Sequence, residues 1–312
     1  MIALRQLRRY LAHTGRKELT SIAARRYLMS SNTINARLHS SGSAVSIPRT
    51  RGELMRSLPP IYPLDLGEDI RKDVAAVGRM LVVLDDDPTG TQTVHSVPVL
   101  AEWSVDILAK ELESPGRYRV MFLNTNARAL PPTEASKLFQ EIGKNLKEAC
   151  RITGVEVSVV SRGDSTLRGH FPGDLVSLEA GMGVEHDAWI VVPFFKAGGR
   201  ITAGDVHFVE QQGTPTRNTT ATPAPAPAAG NNGEAAVILI PAGETEFARD
   251  KAFGYRSSNL VDWIHEKAVS PGPAMSAGVT GEGTGGRQPP PPATERVVSV
   301  SLRDLREGGP QS

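Results

Sequence analysis

The stretch "MLVVLDDDPTGTQTVHSVPVL", residues 80–100, decides the fold of this chain. Residues 81–84 are apolar and lead directly into three carboxylates, Asp85, Asp86 and Asp87, which the turn-forming residues "PTG" follow. A short apolar run bounded by turn residues indicates a strand buried in a parallel sheet. One aspartate there is ordinary turn chemistry, but three adjacent carboxylates repel one another and raise a neighbour's pKa. We therefore interpret the triplet as part of a functional site at the end of this strand.

The rest of the chain alternates predicted strands and helices. Strands are predicted at 80–84, 118–123, 155–160, 188–192, 236–240 and 296–302, and helices at 104–112, 257–267 and within 131–150, where Thr133 is the predicted N-cap. This order predicts an α/β fold, a single domain with a doubly wound, mostly parallel sheet and helices on both faces. In such sheets ligands bind beyond the carboxyl ends of the strands.

Composition excludes several classes of protein. Among 312 residues, 35 Lys and Arg balance 34 Asp and Glu, so net charge gives no sign of a nucleic-acid partner. The single cysteine, Cys150, excludes an intrachain disulfide and a zinc site built from several cysteines. No apolar run approaches the roughly 20 residues that span a bilayer. We expect a soluble, cytoplasmic protein of a reducing compartment with no membrane partner.

Three segments differ in composition from the predicted domain at 55–310. Residues 1–54 predict a disordered basic N-terminal extension, since residues 1–52 hold ten Lys or Arg and one acidic residue, Glu18. That composition is also typical of a mitochondrial transit peptide, which makes a mitochondrial location the alternative prediction. Residues 214–233 and 270–294 are rich in Pro, Gly, Thr and Ala, and we predict that both are disordered insertions in the domain.

Polar, glycine-bearing segments follow the other predicted strands as well. The segment "NTNARAL" contains Arg128, "SRGDSTLRGHF" contains Arg162, Asp164 and Arg168, and "PFFKAGGRITAGDVHF" contains Arg200. Arginine is the side chain best suited to bind a carboxylate or phosphate through two hydrogen bonds. Four such loops at one sheet edge predict a site for a small, anionic, hydroxyl-rich ligand.

One hypothesis for the chemistry is a Mg²⁺-dependent phosphatase of the haloacid dehalogenase type. Its signature is an apolar strand ending in D-x-D-x-T, which Asp85, Asp87 and Thr89 match, with the first aspartate as nucleophile. That family also needs a later acidic metal site, usually G-D followed by another acid four or five residues on. Arg168 and Gly169 occupy those places after Gly163-Asp164, so the phosphatase is the alternative hypothesis.

Four motifs taken together give a better match. In order, "LVVLDDDPTGTQTVHSVPVL", "SRGDSTLRGHFPGDL", "PFFKAGGRITAGDVHFV" and "ETEFARDKAFGY" resemble the N-terminal domain of the four-carbon acid sugar kinase family, over roughly residues 55–310. The resemblance implies that this domain binds the sugar acid, while a separate C-terminal domain binds ATP and Mg²⁺. It implies an ATP-dependent transfer of phosphate to a hydroxyl of a small sugar acid.

The resemblance also implies which residues form the site. Asp87 is the predicted catalytic base, and no metal-ligating residues are predicted. Arg128, Arg168 and Arg200 are the candidates for binding the substrate carboxylate, and the aspartates can accept hydrogen bonds from its hydroxyls. Pro88 stands where leucine is usual in the family, and His170 where asparagine is. The predicted substrate-binding residues are Asp86, Thr89, Gly90, Arg128, Asp164, Ser165, Thr166, Arg168, Gly169, Gly199 and Arg200.

A nucleotide site is not recognisable in the sequence. No G-x-x-x-x-G-K-[ST] motif occurs, so we expect neither ATP nor Mg²⁺ to bind this chain alone. Three interpretations follow: a truncated kinase, a sugar-acid-binding half that works with a nucleotide-binding domain in trans or as a homo-oligomer, or a non-catalytic sugar-acid-binding module. The first two predict a chain that is inactive until an ATP domain is supplied.

Overall fold

A six-stranded sheet forms the centre of the computed structural model, which describes residues 2–3, 50–113, 119–212, 237–269 and 297–308. The sheet order is β3-β4-β2-β5-β1-β6. The first four strands in that order run parallel, and β1 pairs antiparallel with β5 and β6. The predicted α/β fold with a parallel sheet is therefore confirmed. The strands are β1 (Ile2–Ala3), β2 (Met80–Asp85), β3 (Val99–Leu100), β4 (Val120–Asn124), β5 (Val157–Arg162) and β6 (Trp189–Ile190).

Helices pack on the sheet through apolar side chains at helical spacing. Val82 and Leu84 of β2 share one buried cluster with Leu108 and with Ile142 and Leu146. This cluster is the main core of the domain and fixes the strand ends that carry the polar loops. The helices are α1 (Arg51–Ser57), α2 (Gly67–Val77), α3 (Val105–Leu112), α4 (Pro132–Thr153), α5 (Gly173–Met182), α6 (Leu260–Val269) and α7 (Leu302–Glu307).

The start of α4 differs from the predicted start. The helix begins at Pro132, with Pro131 as the capping residue, so Thr133 lies inside the first turn and is not the N-cap. Proline suits the first helical position because its missing N–H would have no partner there and its φ is already helical.

A second, three-stranded antiparallel sheet stands beside the parallel one. It contains β7 (Arg200–Ala203), β8 (Val206–Gln212) and β9 (Val237–Pro241), with Gln212 opposite Val237. The strand predicted at 236–240 therefore exists, but it belongs to this small sheet and not to the parallel sheet. An apolar run alone does not distinguish the two settings.

Residues just before the predicted domain boundary belong to the folded part. Helix α1 begins at Arg51, and Thr50 caps it by accepting a hydrogen bond from Glu53 N at 3.2 Å. Leu54 is buried with Phe208 of β8 and Leu239 of β9. The domain boundary that we predicted at residue 55 thus falls inside α1, and β1 lies within the predicted extension.

The strand predicted at 296–302 was wrong. Residues 297–300 have no regular structure, and Val298 and Val300 are exposed. Ser301 and Asp304 form a capping box that starts α7 at Leu302, so the helix begins where the predicted strand was expected to end. Arg306 Nη1 donates to the Pro59 carbonyl at 2.6 Å, so the last described segment lies against the segment after α1.

Several predictions concern parts of the chain outside the described residues. These are residues 4–49 of the N-terminal extension and the insertions at 214–233 and 270–294. Of the helices that the structure describes, none has the length and apolar character required to cross a membrane.

Candidate functional site

The loops that follow β2, β4 and β5 meet at the carboxyl edge of the parallel sheet. Asp85, the last residue of β2, lies between Asn124 of β4 and Arg162 of β5 in the strand register. The Thr125 amide donates to the Asp85 carbonyl at 2.8 Å, and the Arg128 amide donates to the Asp86 carbonyl at 3.1 Å. The structure therefore brings the acidic triplet, Arg128 and the start of the D-S-T-L-R-G segment together.

Arg128 is the centre of the first group of charges, the Arg128 cluster, which consists of Asp86, Asp87 and Arg128. Its Nε and Nη2 donate to the two oxygens of Asp86 at 3.0 and 2.5 Å. Its Nη1 donates to Asp87 Oδ2 at 3.0 Å. The guanidinium is thus held in one orientation by two neighbouring carboxylates.

The pKa values of the two aspartates in this cluster are shifted in opposite directions. Burial raises the pKa of Asp86 above its ordinary value, although the hydrogen bonds and charge of Arg128 oppose that rise. The hydroxyl and backbone amide of Thr89 lower the pKa of Asp87 by donating to its Oδ1 at 2.5 and 2.7 Å. Asp87 is therefore ionised and oriented at neutral pH.

Asp85 lies beneath the loop and not at its surface. The residue is fully buried, its Oδ1 accepts from Arg162 Nη1 at 3.1 Å, and burial raises the pKa of its carboxyl. A methyl group at Gly90 would overlap both the Asp85 carboxylate and the Arg162 guanidinium, so residue 90 must be glycine for this pair to form. A carboxylate enclosed in this way cannot reach a phosphoryl group, which argues against Asp85 as the nucleophile of a phosphatase.

A second group of charges, the Arg168 cluster, consists of Asp164, Thr166, Arg168 and Asp250. Arg168 Nε donates to Asp164 Oδ2 at 2.6 Å, and its Nη1 lies 3.4 Å from Asp250 Oδ2. The Thr166 hydroxyl also donates to Asp164. Although burial opposes it, these hydrogen bonds from Arg168 and Thr166 lower the pKa of Asp164.

Phe247 lies beside the Arg168 cluster and supports two arginines. The guanidinium carbons of Arg168 and Arg200 lie 5.2 and 5.6 Å from the centre of its ring. These distances are those of cation–π contacts. Arg200 also donates to the Gly198 carbonyl. Both guanidinium groups are therefore engaged with the protein itself.

The backbone of the D-S-T-L-R-G segment is held in an unusual conformation. Leu167 has φ of 67°, the left-handed region that a bulky residue rarely adopts, and its side chain is buried in a cluster with Tyr255 and Trp263. The Tyr255 hydroxyl donates to the Thr166 carbonyl at 2.6 Å. The surrounding packing compensates for the strain, as is common near functional sites.

Gly169 and Gly199 have backbone roles. Gly169 has φ of 133°, and Gly199 has φ of 72° and ends the short helical turn Lys196–Gly198. A methyl group on Gly199 would come within 2.9 Å of Glu210 Cβ. These glycines shape the loops around the site.

A cavity of about 120 Å³ opens between the two clusters. Five of the predicted site residues line it. Gln92, Arg162 and Phe195 also line it, although none was among the site residues assigned from the sequence. The lining residues are Asp87, Thr89, Gln92, Arg128, Arg162, Asp164, Ser165 and Phe195.

The remaining predicted residues are not among those that line the cavity. Arg162 was recognisable as the residue directly before G-D-S-T, whereas no sequence signal pointed to Gln92 or Phe195. The predicted site residues outside the described lining are Asp86, Gly90, Thr166, Arg168, Gly169, Gly199 and Arg200.

Comparison with known proteins supports the family resemblance. A family model described as the sugar-binding N-terminal domain matches residues 81–288. A crystal structure of a domain of unknown function (DUF1537) from Bordetella bronchiseptica, a domain-swapped dimer with bound citrate, is similar at 20% sequence identity and a TM-score of 0.38. That similarity covers 59% of this chain and 39% of that chain, so this chain spans well under two thirds of its length. No curated protein matches.

The family match extends over more than half of the chain and includes the loops that line the cavity. The chain therefore belongs to the family of sugar-binding N-terminal domains of the four-carbon acid sugar kinases.

Proposed function

We propose that this chain binds a four-carbon sugar acid in the cavity and forms the substrate-binding half of an ATP-dependent sugar-acid kinase. The observation that carries the proposal is that two guanidinium groups, of Arg128 and Arg162, and two carboxylates, of Asp87 and Asp164, line one small cavity. A sugar acid offers one carboxylate and several hydroxyls, which are the groups that such a lining recognises.

Arg128 and Arg162 are the best placed residues to bind the substrate carboxylate. Arg162 uses Nη1 for its ion pair with Asp85, and 34% of its side chain remains exposed. Arg168 and Arg200, which the sequence also suggested for this role, contact Phe247 and lie outside the cavity lining. We assign those two arginines to the support of the neighbouring loops.

The hydroxyl groups of the substrate face acceptors and donors of several kinds. Asp87 and Asp164 accept hydrogen bonds, Thr89 and Ser165 can donate or accept, and Gln92 does both. This mixture favours a polyhydroxylated acid over a simple dicarboxylate, because the second carboxylate of a dicarboxylate would face Asp87 and Asp164.

Asp87 is the residue that we assign to orient the attacking hydroxyl. Its lowered pKa keeps it ionised, and Thr89 and Arg128 fix the direction of its oxygens. Phosphoryl transfer passes through a loose transition state, so positioning of the hydroxyl matters more than a strong base. An ionised and fixed carboxylate meets that requirement.

We place the ATP site outside this cavity. The cavity volume of about 120 Å³ is below the roughly 300 Å³ at which pockets for drug-sized ligands begin, and ATP is a ligand of that size. We assign ATP to a separate nucleotide-binding domain, either in a longer form of the protein or in another chain, where it supplies the phosphoryl group. This chain's own residues bind and orient the acceptor, and we expect the chain alone to transfer no phosphate.

Calorimetry with the stereoisomers of 2,3,4-trihydroxybutanoate tests the proposal. At least one isomer should bind, and butane-1,2,3,4-tetrol, which lacks the carboxylate, should not. Arg162→Gln should weaken binding by about 2–5 kcal/mol, because the ligand carboxylate loses one of its two charged partners in a confined site.

Arg249→Gln is a matched control, since Arg249 is not among the residues that line the cavity. Equal affinity for the acid and the tetrol would contradict the assignment of the arginines. ATP turnover by the chain alone would contradict the assignment of ATP to another domain.

A further inference from the structure

His207 of β8 is fully buried directly behind the candidate cavity. Its Nε2 lies 2.8 Å from the Ser165 carbonyl oxygen, and its Nδ1 lies 2.8 Å from Thr202 Oγ1. Its backbone amide donates to the Ser258 carbonyl at 2.8 Å, which fixes the main chain on which the ring stands.

Both ring contacts lead to the walls of the cavity. Ser165 lines the cavity itself. On the other side of the ring, the Thr202 hydroxyl donates to the Pro193 carbonyl at 2.8 Å, two residues before Phe195, which also lines the cavity. One buried imidazole therefore connects the D-S-T-L-R-G segment to the segment that precedes the small sheet.

The acceptors around the ring decide where its proton lies. A carbonyl oxygen only accepts, so Nε2 must carry a hydrogen in order to bond to Ser165. A neutral ring then has a lone pair on Nδ1, which can only accept from Thr202. Since Thr202 has one hydroxyl proton, that proton is shared between His207 and the Pro193 carbonyl.

Burial is the main reason that the ring of His207 favours the neutral form. Burial lowers the pKa of His207, and the positive charge of Arg200 on β7 acts in the same direction. The hydrogen bond to Ser165 and the negative charge of Asp164, on the loop after β5, oppose that decrease.

We propose that His207 is a positioning residue of the sugar-acid site, which holds the Ser165 wall through Nε2–H and the Phe195 wall through Thr202. The effect on ligand binding rests on the proposed function, because it requires that the cavity be the sugar-acid site. The connection itself does not depend on the ligand.

Nuclear magnetic resonance of the chain labelled with ¹⁵N-histidine tests the connection without a ligand. At pH 7.5, His207 should be the Nε2–H tautomer. His207→Leu should speed hydrogen exchange of the amides at 164–169 by about tenfold, the effect of one lost hydrogen bond. His207→Gln, which keeps a donor near the position of Nε2, should leave that exchange nearly unchanged.

Thr202→Val provides the matched variant for the Phe195 wall. It removes only the hydroxyl, so exchange of the Phe194 and Phe195 amides should increase while that of 164–169 stays the same. If His207→Leu does not fold, the proposal can still be tested by the tautomer of His207 in the unmodified chain and by the hydrogen exchange of Thr202→Val. An Nδ1–H tautomer, or unchanged exchange at both walls, would overturn the proposal.

Ligand titration then separates this proposal from the proposed function. His207→Gln should bind the sugar acid more tightly than His207→Leu by about tenfold, because only the former retains the bond to Ser165. If the unmodified chain binds no sugar acid, the proposed function fails. The resonance measurements still test whether His207 holds the two segments, because they need no ligand. Equal affinities of the two variants, with sugar acid bound by the unmodified chain, would refute the positioning role.

Discussion

The Arg128 cluster and the Arg168 cluster contain the same kinds of side chain but are built in different ways. Arg128 pairs with residues on an adjacent strand end, and the two loops also share backbone hydrogen bonds. Arg168 pairs with Asp164 in its own loop and with Asp250, which is 82 residues away in the chain. The first cluster is fixed by the parallel sheet, and the second depends on packing against the small-sheet region.

The two arginines also differ in whether they line the cavity. Arg128 is oriented by Asp86 from behind and still lines the cavity. Arg168 is turned toward Asp250 and the Phe247 ring, and it lies outside the lining. A guanidinium in a family motif can therefore be structural, although its chemistry alone would suit an anion.

The largest expected effect is a difference in the free energy of unfolding between variants of the two clusters. Arg128→Met should lower the free energy of unfolding by about 3–5 kcal/mol, because it leaves the buried Asp86 carboxylate without a partner. Arg168→Met should cost about 1–3 kcal/mol, since Asp164 retains the bond from Thr166. Urea denaturation measures both.

Arg71→Met is the control for this experiment, because the pair of Arg71 with Glu68 is exposed and should contribute about 0–1 kcal/mol. Equal losses for Arg128→Met and Arg168→Met would remove the distinction between the clusters.

Gly90→Ala should disturb the side of the cavity that the parallel sheet supports. The added methyl group must displace both the Asp85 carboxylate and the Arg162 guanidinium, at a cost of about 1–3 kcal/mol. Sugar-acid binding should weaken as well, because Arg162 moves. Gly173→Ala at the start of α5 is the control, since no atom lies within 4 Å of the added methyl group. A Gly90→Ala protein with unchanged thermal stability and affinity would contradict the geometry.

The two clusters should also differ on acidification. Carboxyl ¹³C resonances should show Asp86 titrating above the ordinary value of 3.8 and Asp164 titrating below it. The stability that Asp164 contributes is present above pH 3.8 and is lost as the pH falls through its lower folded-state pKa. The stability that Asp86 contributes depends on pH in the opposite direction. It is present below pH 3.8 and is lost as the pH rises through the higher folded-state pKa of Asp86.

Asp164→Asn should therefore flatten the acid limb of the stability profile. An acid limb that stays unchanged in this variant would show that the Arg168 cluster does not control acid unfolding.

The smallest effect concerns residues 213–236, which connect β8 to β9 in the chain. Gln212 and Val237 are opposite each other in the register, so a four-residue turn can join the two strands. Replacing residues 213–236 by such a turn should leave the free energy of unfolding unchanged or raise it by about 1 kcal/mol, because loop-closure entropy varies slowly with length. Calorimetric melting measures the change, and a marked loss of stability would mean that the segment contributes to the fold.

The sequence was sufficient to predict the parallel half of the site. Apolar strands followed by polar loops place Asp87, Arg128 and Asp164 at one sheet edge, because neighbouring parallel strands end at the same side. The sequence was not sufficient to predict the partners of Arg168. Asp250 and Phe247 reach it through contacts distant in the chain, and the apolar run of β9 suits an antiparallel strand as well as a parallel one.

Which arginines line the cavity likewise could not be predicted from the sequence. Arg162 lines the cavity because it ends β5 beside Asp85, whereas Arg200 begins β7 and turns toward Phe247. Strand boundaries of this kind shift by a few residues in any prediction from sequence. A shift of one residue moves a side chain to the other face of a sheet.

The bond from Arg306 to the Pro59 carbonyl has a consequence for the topology of the domain. The two residues are 247 positions apart in the chain, so this one hydrogen bond closes a loop that contains every described strand except β1. The contact acts as a noncovalent cross-link between the segment after α1 and the segment that holds α7. In the unfolded chain the two residues are far apart, and the entropy cost of bringing them together rises only with the logarithm of the length of chain between them.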